Sequence, residues 1–229
     1  VYKRQAGGYL EEDDVANALI YALDNGAKIV NMSFGDVALS RFLQDVIYYA
    51  YQQGLVIIAS AGNSGTDELH FPSGLPETIS VGATDADDNI AGFSSYGPTI
   101  DCVAPGSELI STAIDDKYNS VSGTSFSAPI VSAIAGLILS VHPDIGPERV
   151  RSILKTSSDD ILSFGWDQYS GAGRVSAVRA VNVTDGGILK LIEPAPNTTT
   201  AQDEVDIIAT ALHPDIKSCL LYTSDAADE

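Results

Sequence analysis

The sequence predicts an α/β fold: a mostly parallel sheet flanked by helices, followed by the start of a β-rich segment. Three observations carry this. Between residues 13 and 60, stretches with apolar residues at helical spacing alternate with short continuous apolar runs, as expected of strands buried between layers of helix. Gly26 and Gly54 stand where the two helical stretches would stop. After Gly186-Gly187, two alternating runs follow with no helical stretch between them, the pattern of half-buried strands.

The elements follow in order. Residues 13–25 put Val15, Ala18, Leu19, Ala22 and Leu23 on one helical face, and acidic residues 11–14 suit the positive end of that helix. Residues 28–34 read as a buried strand ending at Gly35. Residues 40–53 form a second helix, and 55–60 a second apolar strand with the loop Ala61-Gly62-Asn63-Ser64-Gly65 after it. Ligands in such folds sit at the carboxyl ends of the strands. That places Ser33-Phe34-Gly35 and Gly62-Asn63 on the functional edge. Residues 78–84, 101–104 and 109–114 are further short strands. Residues 122–129 form a small-residue turn leading into an apolar helix, 130–141, closed by His142-Pro143. Pro147 opens another helix to about residue 156. Residues 175–183 close as a short helix. Residues 188–192 and 205–210 begin a β-sandwich-like domain.

A length of 229 residues suits one domain, or one domain and part of another. The net charge of −19, with no basic stripe, argues against nucleic acid. No apolar run reaches membrane-spanning length. The two ends stand apart. Val1-Tyr2-Lys3-Arg4-Gln5 and Cys219-Leu220-Leu221-Tyr222-Thr223 can be encoded by reverse-complementary DNA, as an adapter joined at both ends would be. Residues 1–5 and 219–229 are therefore expected to be non-native. The native piece, 6–218, then divides at 185/186. It keeps Cys102 as its single cysteine, which leaves no intrachain disulfide.

The turn Ser122-Gly123-Thr124-Ser125-Phe126-Ser127-Ala128-Pro129 organises the rest. A serine at a helix N-terminus faces free N–H groups and the positive dipole end, which favour a developing oxyanion. Ser125 is thus either a helix cap or a nucleophile. Asn63 is either a turn residue or a donor to that oxyanion.

Six stretches together resemble the subtilisin-like serine peptidases, or subtilases. They are residues 29–35 (IVNMSFG), 59–63 (ASAGN), 71–73 (FPS), 93–98 (FSSYGP), 103–106 (VAPG) and 123–129 (GTSFSAP). The last fits the family's Gly-Thr-Ser-x-x-x-Pro serine signature, and the likeness covers about residues 6–180. It implies a subtilisin-like domain cut short at its N-terminus. It also implies that Ser125 attacks a peptide carbonyl and that Asn63 and the Ser125 N–H form the oxyanion hole. Ser33, Phe34 and Gly35 would line the substrate, with Gly62 and Thr124 beside them. Phe34 either narrows the pocket or packs in the core. Gly7-Gly8-Tyr9 falls where the family has another substrate-pairing segment.

The family's Asp and His motifs fall before residue 6 in its order, and neither is present. His70, His142 and His213 are expected to be structural or solvated. The expected function is a fragment of a serine endopeptidase, inactive by itself. The alternatives are a non-catalytic relative, or an adhesion protein acting through its C-terminal β segment. The resemblance implies a peptide or protein substrate, secretion or cell-surface display, and chemistry without a cofactor. It allows structural calcium in the full-length protein. Asp101 falls where some members bind a weak cation, but a solvated aspartate is the plainer expectation, so no metal ligand is assigned.

Overall fold

The computed structural model describes residues 11–183 and the backbone of two further strands, Ile188–Glu193 and Ile208–Leu212. The chain divides into two compact units, Val1–Val183 and Thr184–Glu229. The second unit contains the antiparallel pair formed by those two strands. The proposed non-native ends, Gly7-Gly8-Tyr9 and His213 lie outside the described residues.

The first unit begins α1 (Glu12–Asp24), β1 (Ile29–Met32), α2 (Arg41–Gln52), β2 (Val56–Ser60), β3 (Thr78–Thr84) and β4 (Ile100–Pro105). The four strands make one parallel sheet in the order β1-β2-β3-β4. A hairpin follows, β5 (Leu109–Thr112) and β6 (Tyr118–Val121). Three helices complete the unit: α3 (Thr124–Val141), α4 (Pro147–Thr156) and α5 (Ala177–Val181).

Strand alternation sorts the core into two layers. Val56 and Ile58 of β2 join a cluster with Ala128, Val131, Ala135 and Ile138 of α3 and Val150, Ile153 and Leu154 of α4. Ile57 and Ala59 join the opposite cluster, with Val15 and Leu19 of α1 and Leu43, Ile47 and Ala50 of α2. Every residue of β2 is buried, which accounts for its unbroken apolar sequence. Ser40 caps α2, its hydroxyl accepting from the Leu43 N–H at 3.2 Å.

Two expectations about the elements shift. Tyr118–Val121 was not anticipated as a strand because its residues are mostly polar and exposed, so they carry no apolar alternation. More important, the long helix begins at Thr124 rather than residue 130. Pro129 lies inside it. Proline usually marks the first turn of a helix, but here it sits one turn further in.

Helix α3 is long and apolar enough, by length and composition, to cross a membrane. Its apolar face instead packs on the sheet as the central core helix.

Asp101 is not solvated. It is 7% exposed, accepts from the Ser80 N–H at 3.0 Å, and faces Lys155 at 3.5 Å and Arg151 at 3.8 Å. Two cations already balance this carboxylate, so it does not fit a metal-ligand role.

Candidate active site

The carboxyl ends of β1 and β2 lie side by side, with Met32 in register with Ala59. The segments leaving them, Ser33–Gly35 and Ala61–Asn63, therefore face each other at one edge of the sheet. The N-terminus of α3 arrives at the same edge. Gly123 caps it with φ of 149°, a backbone conformation that side chains strongly disfavour. A Cβ there would stand 3.6 Å from Asn63 Nδ2, an ordinary contact, so the backbone conformation rather than lack of space calls for glycine.

Asn63 is joined to this helix through Thr124. Its Oδ1 accepts from the Thr124 N–H at 2.8 Å and from the Thr124 hydroxyl at 2.9 Å. A backbone N–H can only donate, so the amide atom facing it must be the oxygen. Asn63 thus keeps its Nδ2 hydrogens for another acceptor, and the residue is exposed. Thr124, fully buried, is fixed in turn to Gly62, with its Oγ1 3.3 Å from the Gly62 N–H and 3.2 Å from the Gly62 carbonyl.

Ser125 occupies the second helical position, where its N–H has no acceptor one turn earlier. Among the described residues that N–H finds no partner. It therefore points with the helix dipole at the space beside Asn63.

Ser125 and Ser33 exchange hydrogen bonds. The Ser33 hydroxyl donates to the Ser125 carbonyl at 2.7 Å, and the Ser125 hydroxyl donates to the Ser33 carbonyl at 3.3 Å. Pro129 explains why the first bond is available. A helical carbonyl at position 125 would normally accept from the N–H of residue 129, and proline has none. The carbonyl released by Pro129 is the one that Ser33 binds. Asn31 donates to Ser33 Oγ at 2.8 Å, and the Ser132 hydroxyl donates to Asn31 Oδ1 at 3.1 Å. The network thus returns to α3 one turn beyond the proline. Proline four residues after serine was visible in the sequence, but its consequence for Ser33 needed the fold.

The structure therefore brings Ser125, Thr124, Asn63, Gly62, Ser33 and Gly35 to one edge. Phe34 differs: its ring packs against the cluster shared by α1 and α2. The Ser125 hydroxyl makes no hydrogen bond to a histidine or carboxylate among the described residues. His142 Nε2 is 3.0 Å from the Val183 carbonyl.

A model of the Subtilase family matches residues 1–173. The chain belongs to the subtilase family. It is 38% identical to thermitase of Thermoactinomyces vulgaris over 167 residues, covering 73% of this chain and 58% of thermitase. It is also 38% identical to halolysin of Haloferax mediterranei over 174 residues, covering 76% of this chain and 33% of halolysin. Among solved structures it is similar to a prenylagaramide maturation protease, with a TM-score of 0.70 and 28% identity over 78% of this chain and 69% of that one. This subtilase chain thus spans little more than half of thermitase and a third of halolysin.

Proposed function

We propose that this chain is the part of a subtilisin-like serine endopeptidase that carries the nucleophile and the oxyanion hole. The Ser125 Oγ attacks the scissile carbonyl and gives its proton to a base; the C–N bond then breaks, the amine leaves carrying that proton, and Ser125 is left acylated. The Asn63 Nδ2 and the Ser125 N–H receive the oxyanion, and water then releases the acyl group. Ser33 and Gly35 border the bound peptide, and Gly62 and Thr124 hold Asn63 in place.

The observation that carries this reading is the way Asn63 is held. Its carbonyl end is fixed to Thr124 while its amide donors remain at the positive end of the helix bearing Ser125. A turn asparagine would not need that anchoring. Donors fixed in advance stabilise developing charge without reorganising during the reaction.

A serine hydroxyl also needs a base. We infer that the histidine and aspartate of the triad belong to the parent protein outside residues 6–218, and that this chain alone does not cleave peptides. No cofactor enters the chemistry, and any structural calcium of the parent lies away from Asp101. A curated relative from Natrialba magadii is named an extracellular serine protease. We take the parent to act outside the cell as well, with residues 186–218 beginning a separate β-rich domain.

A fluorophosphonate probe with intact-mass detection tests the division of labour. The full-length natural protein should be labelled once, on Ser125, and the present chain should not be labelled on that timescale. Rapid stoichiometric labelling of the present chain would contradict the assignment of the base to another segment.

A further inference from the structure

The two segments that border Ser125 do not enclose an empty slot. His70 lies between them. A Cβ added to Gly35 would overlap His70 Cε1 and stand 2.8 Å from Nδ1. A Cβ added to Gly62 would stand 3.3 Å from both Cγ and Cδ2 of the same ring. The imidazole is therefore in contact with both walls, and each wall presents a glycine to it. Its position is fixed from the backbone. The Asp36 N–H donates to the Phe71 carbonyl at 2.9 Å, and the Phe71 N–H donates to the Asp36 carbonyl at 2.7 Å. These bonds tie the residue after Gly35 to the residue after His70. The His70 carbonyl accepts from the Gly74 N–H and the Ser73 hydroxyl, both at 2.7 Å.

One of the ring's two nitrogens is not used where it stands. Nδ1 is buried and has no hydrogen-bond partner among the described residues. A buried polar atom left unpaired is unfavourable, so hydrogen bonding does not explain why the ring sits there. What the ring contributes at this place is volume.

We propose that His70 is a specificity-determining residue that closes the side-chain pocket beside Ser125, restricting the residue that donates the scissile carbonyl to short side chains such as alanine and serine. The proposal rests on the peptidase reading above. A carbonyl held between Ser125 and Asn63 has two directions for its side chain: out to solvent, or into the gap between Gly35 and Gly62. The inward side chain meets the imidazole. A methyl or hydroxymethyl group stops short of it. A leucine or phenylalanine side chain needs the volume that the ring already fills. Phe34, the other aromatic at this edge, is engaged in the α1–α2 core and does not compete for the space.

The test is the ratio of kcat/KM values for matched peptides with alanine or phenylalanine at that position, measured on the full-length natural protein. The expected ratio favours alanine by about tenfold or more, the scale on which a pocket discriminates small changes of volume. His70→Ala should lower the ratio at least about tenfold. His70→Phe should keep it, because it restores bulk without the unpaired nitrogen. A native ratio near one overturns the proposal, as does a His70→Ala ratio equal to the native one. If His70→Ala does not fold, the native protein and His70→Phe still decide it. Cleavage with a flat ratio leaves the peptidase reading standing. No cleavage of any peptide by the native protein removes both.

Discussion

Thr124 links Asn63 to the start of α3 through a buried hydroxyl and its own N–H. It holds Asn63 by the amide oxygen and Gly62 by both backbone groups. Thr124→Val keeps the shape and removes the hydroxyl. It should destabilise the protein by about 1–3 kcal/mol, since the buried Gly62 N–H loses its partner, while the Gly62 carbonyl keeps the Ser95 N–H. It should also lower kcat more than it raises KM, because Asn63 loses one of its two anchors. Steady-state kinetics and thermal melts on the full-length protein check both. Asn63→Ala should lower kcat by about 10²–10³ with KM little changed; this is the loss established for the oxyanion asparagine of subtilisin itself. Cys102 gives a prediction of another kind. Burial and then the neighbouring Asp101 charge hold its thiol well above the ordinary range. Thiol reagents at pH 8 should leave it unmodified in the folded protein and modify it in denaturant. The sequence indicated Ser125 and Asn63 because their types and neighbours carry chemical meaning. His70 was unreadable in this way. A histidine before Phe71-Pro72 looks like a loop residue until the fold sets Gly35 and Gly62 on either side of it.

Helix α3 concentrates the site's physical conflict. Pro129 denies the helix one internal hydrogen bond, and Ser33 uses the carbonyl so released. Pro129→Ala restores the N–H. The helix then recovers its bond, and the variant should melt at a higher temperature, because proline inside a helix costs up to about 3 kcal/mol. The Ser33 hydroxyl must then share the Ser125 carbonyl with the restored N–H, which weakens the shorter of the two bonds tying Ser125 to the neighbouring segment. Displacements of this kind reduce turnover by up to about 10²-fold, so kcat should fall while stability rises. A variant that melts higher with kcat unchanged would show that the Ser33–Ser125 pair does not position the nucleophile. The helices α1, α2 and α4 and strands β2 and β3 were legible from apolar spacing, glycine stops and Pro147. The start of α3 was not. Proline and a run of small residues read locally as a turn, whereas packing of Ala128 and Val131 on the sheet makes those residues helical. Tyr118–Val121 was missed for a related reason: its strand is defined by pairing with Leu109–Thr112, not by burial.

At the scale of the whole molecule, strong negative charge and a sheet edge unpaired among the described residues bear on behaviour. The net charge of −19 makes the folded state repel itself. Screening reduces that repulsion. Raising sodium chloride from low to near-molar concentration should stabilise the chain by about 1 kcal/mol, or about 2–4 °C in Tm. Unchanged melting across that range would mean that its acidic groups are already locally balanced, as Asp88 and Asp159 are by Arg174. Among the described residues no strand pairs with the outer edge of β1. An unpaired edge invites association, so the present chain should aggregate more readily than the full-length protein at equal concentration. Static light scattering compares the two. The central proposal remains local: Ser125, beside Asn63 at the start of α3, would be the nucleophile of a peptidase. The most direct measurement is trapping the acyl-enzyme of the full-length natural protein with an activated peptide ester and mapping the adduct by mass spectrometry. The account predicts one acyl group on Ser125, absent in Ser125→Ala along with peptide hydrolysis. An adduct on another residue, or hydrolysis that survives Ser125→Ala, would contradict it.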